Sequence, residues 1–474
     1  MDKRMVLPRS VPEAQGISSA AVSDFLKAVQ NDSKMELHSF MLLRHGQVVA
    51  EGWWSPYAAY LPHSLYSLSK SFTSTAIGLA VEEGRISLDD RVVEFFPEEA
   101  PQDVSANLSA MRIRHLLMMG TGHAEEPKLR ENPRNNWVEA FLHAPVVYEP
   151  GTHFVYNSGA TYMLSAILQK VSGEKLLDYL QPRLLLPLGI EGATWESCPM
   201  GIHVGGWGLS VKTEDIAKFG QLYLQKGVWN GSCILPEAWV AEATSKHIEN
   251  SNQNVDWAQG YGYQFWRCRH GAYRGDGYLG QYCIVMQEQD AVAVFTSGTG
   301  DMQAVLNLVW EHLLPAMQPG TLPANNEAAA ALSAQLNGLA LGLPRDQPSS
   351  PREAELSGNV YRLDENETGW STFSIRFDQE EAAVVIRNGN GEHTIRSGRG
   401  EWLTGVSRIQ QNVDRAVASS FTWRGPDTLE LTVRHIETPF GHTVTCRLED
   451  AGIALEIRQN VGGPELIALR GKQA

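Results

Sequence analysis

Apolar residues recur along this chain with two different periods, and the change of period divides it. From residue 18 to about residue 315, helical spacing alternates with short apolar runs. Ser18 to Gln30 (SSAAVSDFLKAVQ) places apolar residues on 3–4 spacing behind a serine suited to an N-cap, which predicts an amphipathic helix. Residues 38–54 (HSFMLLRHGQVVAEGWW) hold two apolar runs around His45-Gly46 and predict a β-hairpin, with His45 a plain turn residue. Helical spacing returns at Phe72, Ala76, Leu79 and Ala80, and Gly84 closes that run. Further helices are predicted within 111–123 (MRIRHLLMMGTGH), over Trp137–Leu142, over Tyr162–Val171, from Thr213, and over Met302–Leu314. Residues 260–298 read instead as antiparallel strands, with Cys283–Met286 and Ala291–Phe295 split by a polar Gln-Glu-Gln-Asp turn. Helix, antiparallel hairpin and helix in succession predict an α+β domain with helices packed on a sheet.

Beyond Gly358 the period is two. TFSIRF, AAVVIR, TLELTVRH, HTVTCRLE and IALEIR are alternating strands between Gly, Asn and Asp turns. They predict a separate C-terminal antiparallel β domain over 352–474, a barrel or a sandwich. Residues 319–351 hold one Ala-rich helix between Pro-containing segments and read as a connector, leaving 1–318 as the first domain. A length of 474 residues agrees with two domains.

Composition narrows the function classes. Hydrophobic residues are 43% and charged residues 20%, as in globular proteins, and the formal net charge of −15 argues against nucleic-acid or anionic-membrane partners. The N-terminal stretch MDKRMVLPRSVPEAQG is charged and broken by prolines, and no stretch has the apolar length of a membrane span. Cys198, Cys233, Cys268, Cys283 and Cys446 are scattered with no C-x-x-C pair, so neither a zinc site nor a disulfide framework is expected. This fits a reducing interior, and a cytoplasmic protein is the expectation.

Candidate chemistry begins at Ser67 and Lys70, a Ser-x-x-Lys pair. Residues three apart share a helix face, so the lysine amine can reach the serine hydroxyl. A serine hydroxyl needs a base to become a nucleophile, and a desolvated lysine can serve. Free N–H groups at a helix start can hold an oxyanion. Downstream, Tyr156-Asn157-Ser158 precedes the 162–171 run; a tyrosine can act as general base where a cation such as Lys70 lowers its pKa. Residues 203–210 (HVGGWGLS) are glycine-rich but lack the Gly-Lys-Ser/Thr ending of a phosphate loop. His115, inside an apolar helix, reads as a core histidine, while His123 follows in a loop that could border a pocket. His435 and His442 look like exposed strand residues and do not form a ligand set.

The string YSLSKSFTSTAIGLAVEEGRISLDDRV, from Tyr66, resembles the nucleophile region of class C β-lactamases and of the related penicillin-binding-protein-like esterases and peptidases. Ser67 to Thr73 and Gly84 to Asp90 are the counterparts of that family's two conserved strings. Residues 111–123 and the glycine-rich loop followed by the 213–220 helix are similar to the family as well, so the likeness covers about residues 10–315. The resemblance implies a β-lactamase-like α+β fold, with an antiparallel sheet flanked by helices plus an all-helical region, and segment 124–150 lying over the site as a lid. It implies Ser67, Lys70 and Tyr156 as catalytic residues, with the N–H groups of Ser67 and Tyr278 as the oxyanion hole. Substrate contacts would come from Asn157 or Ser158, from Gly275, Asp276 and Gly277, and from the surroundings of Trp207. The family's asparagine lies two residues after the tyrosine, whereas here it lies one after and serine two after. The family's Lys-Thr-Gly or His-x-Gly strand aligns with Gly275-Asp276-Gly277, so its cation is missing, which counts against β-lactam or carboxylate recognition. Arg274 adjoins it, but neighbours on a strand face opposite sides. No metal or organic cofactor is required. The expected activity is acyl-enzyme hydrolysis of a small ester or amide. A catalytically reduced module binding a peptide or cell-wall fragment is the alternative, and oligomeric state is left open.

Overall fold

The computed structural model describes residues 6–409, 413–450, 452–463 and 466–474; the first five residues of the charged N-terminal stretch lie outside the described residues. Among the described residues, a six-stranded antiparallel sheet forms the backbone of the first domain. Its spatial order is Gln47–Trp53, Leu37–Arg44, Ala291–Ser297, Gln281–Met286, Tyr273–Gly277 and Trp266–Arg267. The expected hairpin is there, and its turn residues His45 (φ 51°) and Gly46 (φ 72°) are both left-handed, the conformation that matches the twist of two adjoining strands. The central strands are buried along their whole length because helices cover both faces. Ser19–Asn31, capped by the Ser18 hydroxyl, packs Phe25 against Phe40 and Phe295, with ring centroids 5.2 and 5.9 Å away.

The Ser69–Glu82 helix runs through the middle of the domain and is buried on nearly every side. Phe72 stacks on Phe219 of the Thr213–Leu224 helix at 3.9 Å, and Gly78 leaves the only room there is for the Trp239 ring. The predicted apolar helix at 111–123 is shorter than its pattern: it spans Ile113–Leu117 and ends where Met119 turns left-handed (φ 60°). His115 accepts the Arg112 N–H in this helix's cap, and His123 is buried against Phe141 with Nδ1 on the Thr121 hydroxyl, not in a pocket wall.

The segment read as a connector is not a free linker. Its helix, Asn326–Asn337, lies on Ser19–Asn31 with Leu332 buried, and Leu339 and Leu341 pair with the backbone of Ser55. Its apolar residues have a surface to cover, and that outweighs the flexibility suggested by its prolines.

The C-terminal domain is a barrel of antiparallel strands. Among the described residues ten strands follow one another from Gly391–Arg399 round to Leu403–Ser407, and a pairing of Gly398 with Ser420 and Arg399 with Phe421 closes the sheet. Alternate residues point inward, as in Glu381–Asn388, where Ala382, Val384 and Ile386 are buried and their neighbours are not. His435 and His442, expected at the surface, turn inward with it: His435 is 4% exposed and its Nε2 lies 3.3 Å from His442 Nδ1.

The two domains meet beside the first domain's centre. Glu36 takes the Arg434 guanidinium at 2.9 Å and the Asn460 amide at 3.0 Å, and Tyr57 donates to the Thr438 carbonyl at 3.0 Å. Among the described residues, no helix is long and apolar enough to cross a membrane.

Candidate active site

Ser67 does not sit in the α-helix itself but on the single 3-10 turn before it, Tyr66–Leu68. Tyr66 enters that turn at φ 48°, a left-handed conformation uncommon for a tyrosine and found mostly where surrounding packing enforces it. The packing here is aromatic: the Tyr66 ring meets Tyr278 at 5.8 Å and Phe440 of the barrel at 6.2 Å, both edge-on. The turn aims Ser67 back over the first helical turn. Lys70 Nζ stands 3.1 Å from Ser67 Oγ, 3.2 Å from Ser158 Oγ and 2.7 Å from the Gly206 carbonyl.

Lys70 is 1% exposed, and burial brings its pKa down to about 7, with Glu126 and Asp276 opposing the shift. A large fraction of this amine is therefore neutral at neutral pH. Tyr156 is the third group. Lys70 Nζ lies 4.9 Å from its ring centroid, its hydroxyl is within hydrogen-bonding reach of Ser67, and Trp266 stacks on it at 5.5 Å. The cation-lowered tyrosine base expected from the sequence is corrected here. Burial, reinforced by the Asp276 carboxylate, pushes the Tyr156 pKa up, so the group is a phenol that can donate a proton.

The remaining expected residues divide. Ser158 faces Lys70, whereas Asn157 is fully buried and spends its side-chain oxygen capping its own helix on the Ala160 N–H. The +1 amide is turned away from the site because an N-cap must fold back on its helix. The side-chain faces of Gly275 and Gly277 are filled: a Cβ on Gly275 would run into Leu68 and Ser71, and one on Gly277 into the Leu65 carbonyl. These glycines let the strand lie directly on the nucleophile turn. Asp276 is buried and paired at 2.9 Å with Arg274, two residues away and so on the same face of the strand. Burial raises the Asp276 pKa, while Arg274 and Lys70 oppose the rise. Tyr278 is 48% exposed at the end of that strand, next to Gly277. Trp207 is half-buried; its indole donates to Glu196 at 3.2 Å and carries the Arg130 guanidinium 5.4 Å above its ring.

Two contributors escaped the sequence reading. One is Gly206, whose carbonyl makes the shortest contact with Lys70; the glycine-rich loop supplies an oxygen, a role that no side-chain pattern advertises. Gly205 and Gly206 are pressed on the Ser158–Ser172 helix, against Thr161 and Ser158, where only a hydrogen fits. The other is Glu126, in the segment expected to act as a lid. It accepts the Ser158 N–H at 2.7 Å and stays solvent-exposed. Its segment, residues 126–131, and Trp207 enclose a cavity of about 300 Å³. A second cavity, of about 200 Å³, opens between the domains, with Tyr66, Trp195 and Glu196 on one wall and Arg415, Glu437 and Phe440 on the other. Among the described residues no group of three His, Cys, Asp or Glu side chains could hold a metal ion.

A serine, a buried lysine and a phenol gathered from two segments 86 or more residues apart are one arrangement; the sequence profile of the family described as Beta-lactamase matches residues 23–313 around them. The chain belongs to the beta-lactamase family. Its relatives within the family are hydrolases of several kinds. It is 25% identical over 285 residues to the 6-aminohexanoate-dimer hydrolase of Paenarthrobacter ureafaciens, covering 56% of this chain and 73% of that one. It is 26% identical over 150 residues to the lovastatin esterase of Penicillium rubens, covering 27% of this chain and 37% of that one. Among solved structures, the octameric penicillin-binding protein homologue from Pyrococcus abyssi superposes with a TM-score of 0.51 at 15% identity, over 95% of this chain and 99% of that one. That likeness is one of fold, and its extent takes in the barrel.

Proposed function

We propose that this beta-lactamase-family hydrolase is a serine hydrolase working through an acyl-enzyme on Ser67. The observation that carries the reading is the 3.1 Å contact between the Ser67 hydroxyl and a buried lysine whose pKa is near 7. In this scheme neutral Lys70 takes the proton of Ser67 Oγ as that oxygen bonds to the ester or amide carbonyl carbon. The N–H groups of Ser67 and Tyr278 receive the oxyanion; loss of one such donor costs roughly 3–4 kcal/mol in hydrolases where it has been measured. As the carbon–oxygen or carbon–nitrogen bond breaks, the proton passes through Tyr156 to the departing alcohol or amine. Water then attacks the acyl carbon, giving its proton to Lys70, and Lys70 returns that proton to Ser67 Oγ as the acid departs.

The substrate class follows from charge. Where the family aligns a cation, this chain has Gly275 with no side chain, and the carboxylates of Asp276 and Glu126 act on Lys70 instead. A substrate carboxylate would therefore find no counter-charge at that position of the strand. Small esters and amides without a carboxylate beside the scissile bond are the proposed substrates, and β-lactams carrying one are disfavoured. Two relatives, a 6-aminohexanoate-dimer hydrolase and a lovastatin esterase, are hydrolases by name, the second of an ester.

A serine-directed fluorophosphonate with intact-mass readout tests the nucleophile. Wild type should gain one adduct and Ser67→Ala none; labelling of both at one rate would sink the proposal. Acylation that never turns over across an ester and amide panel would point instead to a binding module.

A further inference from the structure

The barrel is hollow. Its interior holds a cavity of about 210 Å³ whose walls include the inward side chains of Phe373, Val384, Ile386, Ile395, Val444 and Ile457. Natural interiors are packed about as tightly as organic crystals, and voids larger than a water molecule are few. For scale, an engineered apolar cavity of about 150 Å³ in another protein stays dry and takes up benzene. Its lining is mostly aliphatic and aromatic, and most of the few hydroxyl and imidazole groups on it have partners within the protein. Ser397 Oγ pairs with Ser419 Oγ at 2.6 Å, Thr368 donates to Asn366 at 2.5 Å, and the His435 and His442 rings face each other at 3.3 Å. Among the described residues that line it there is no Lys, Arg, Asp or Glu. Burial lowers the pKa of both histidines, so the imidazoles are neutral and offer no counter-charge. A charged ligand entering here would lose its hydration with nothing in exchange, whereas an apolar one would leave water for a preformed apolar surface.

We propose that the C-terminal barrel is a binding site for a small uncharged apolar molecule, an aliphatic or aromatic compound of about eight to ten heavy atoms. The site is separate from Ser67 and does not depend on the hydrolase reading.

The test uses the full-length chain with isoleucine methyl labelling and 1-octanol as probe. Titration should shift the methyl resonances of Ile386, Ile395 and Ile457 saturably and leave Ile77 and Ile167 of the first domain in place. The same shifts should appear in Ser67→Ala, which separates this site from the hydrolase centre. Octanoate, of similar length but charged, should bind at least tenfold more weakly. Val444→Phe, which fills the cavity, should weaken octanol at least tenfold. The wild-type shifts decide the matter even where that variant fails to fold. Absence of saturable shifts, shifts centred on the first domain, loss of binding in Ser67→Ala, or octanoate binding as tightly as octanol would each overturn the proposal.

Discussion

Lys70 sets the expected pH dependence. Its amine is useful as a base only when neutral, and burial brings its pKa from 10.5 to about 7. The rate constant kcat/KM should therefore climb as pH rises through about 7 and then level off, since Tyr156 keeps its proton through that range. Glu126 and Asp276 hold the lysine pKa above where burial alone would put it. Removing the exposed carboxylate, by Glu126→Gln, should move the rising limb to lower pH; a limb that stays put or moves up would show that Glu126 does not act on Lys70. That Ser67, Lys70 and Tyr156 come together could be anticipated from the sequence because each lies in a short string of recognisable residue types. Glu126 and Gly206 could not, since one is a lone acid in an irregular loop and the other acts through its carbonyl. Asn157 misled because a side chain's direction depends on whether it caps its helix, and spacing in the sequence does not report that.

At the scale of elements, the strand Tyr273–Gly277 and the turn Tyr66–Leu68 are in direct backbone contact because Gly275 and Gly277 carry no side chains. Gly277→Ala would drive a methyl into the Leu65 carbonyl and should cost about 1–3 kcal/mol. The strand would also move off the turn that carries Ser67. The expected outcome is a fall in kcat beyond what the lowered Tm explains, checked by assaying well below the unfolding transition. The sequence reveals that these positions lack a side chain, but not that Leu65, Leu68 and Ser71 fill the space a side chain would take. Five of the ten described barrel strands, by contrast, were legible nearly residue by residue, because a period of two fixes which face is inward. The helix of 111–123 was overread: its apolar residues are buried whether helical or not, so hydrophobic spacing could not mark its end at Met118.

The whole molecule is joined at Glu36, where Arg434 and Asn460 of the barrel meet a carboxylate on the first domain. Burial would raise the Glu36 pKa, but the hydrogen bond to His38 of the same domain, together with Arg434 and Asn460, holds it below its ordinary value. A depressed carboxylate contributes stability above its unfolded pKa and loses it as pH falls through the lower, folded value. Glu36→Gln should therefore lower the free energy of unfolding at neutral pH by about 1.5–3 kcal/mol, seen as a lower Tm, and the gap from wild type should close in acid. An unchanged Tm at neutral pH would mean that the junction is held by its other contacts.

The aromatic trio of Tyr66, Tyr278 and Phe440 places one barrel side chain against the residue preceding Ser67. On the proposed mechanism, the accessory domain forms part of the wall beside the acylated serine. Changes to the short 435–440 turn would then retune which molecules are accepted without altering any reacting atom, a dial for specificity outside the segment that defines the family.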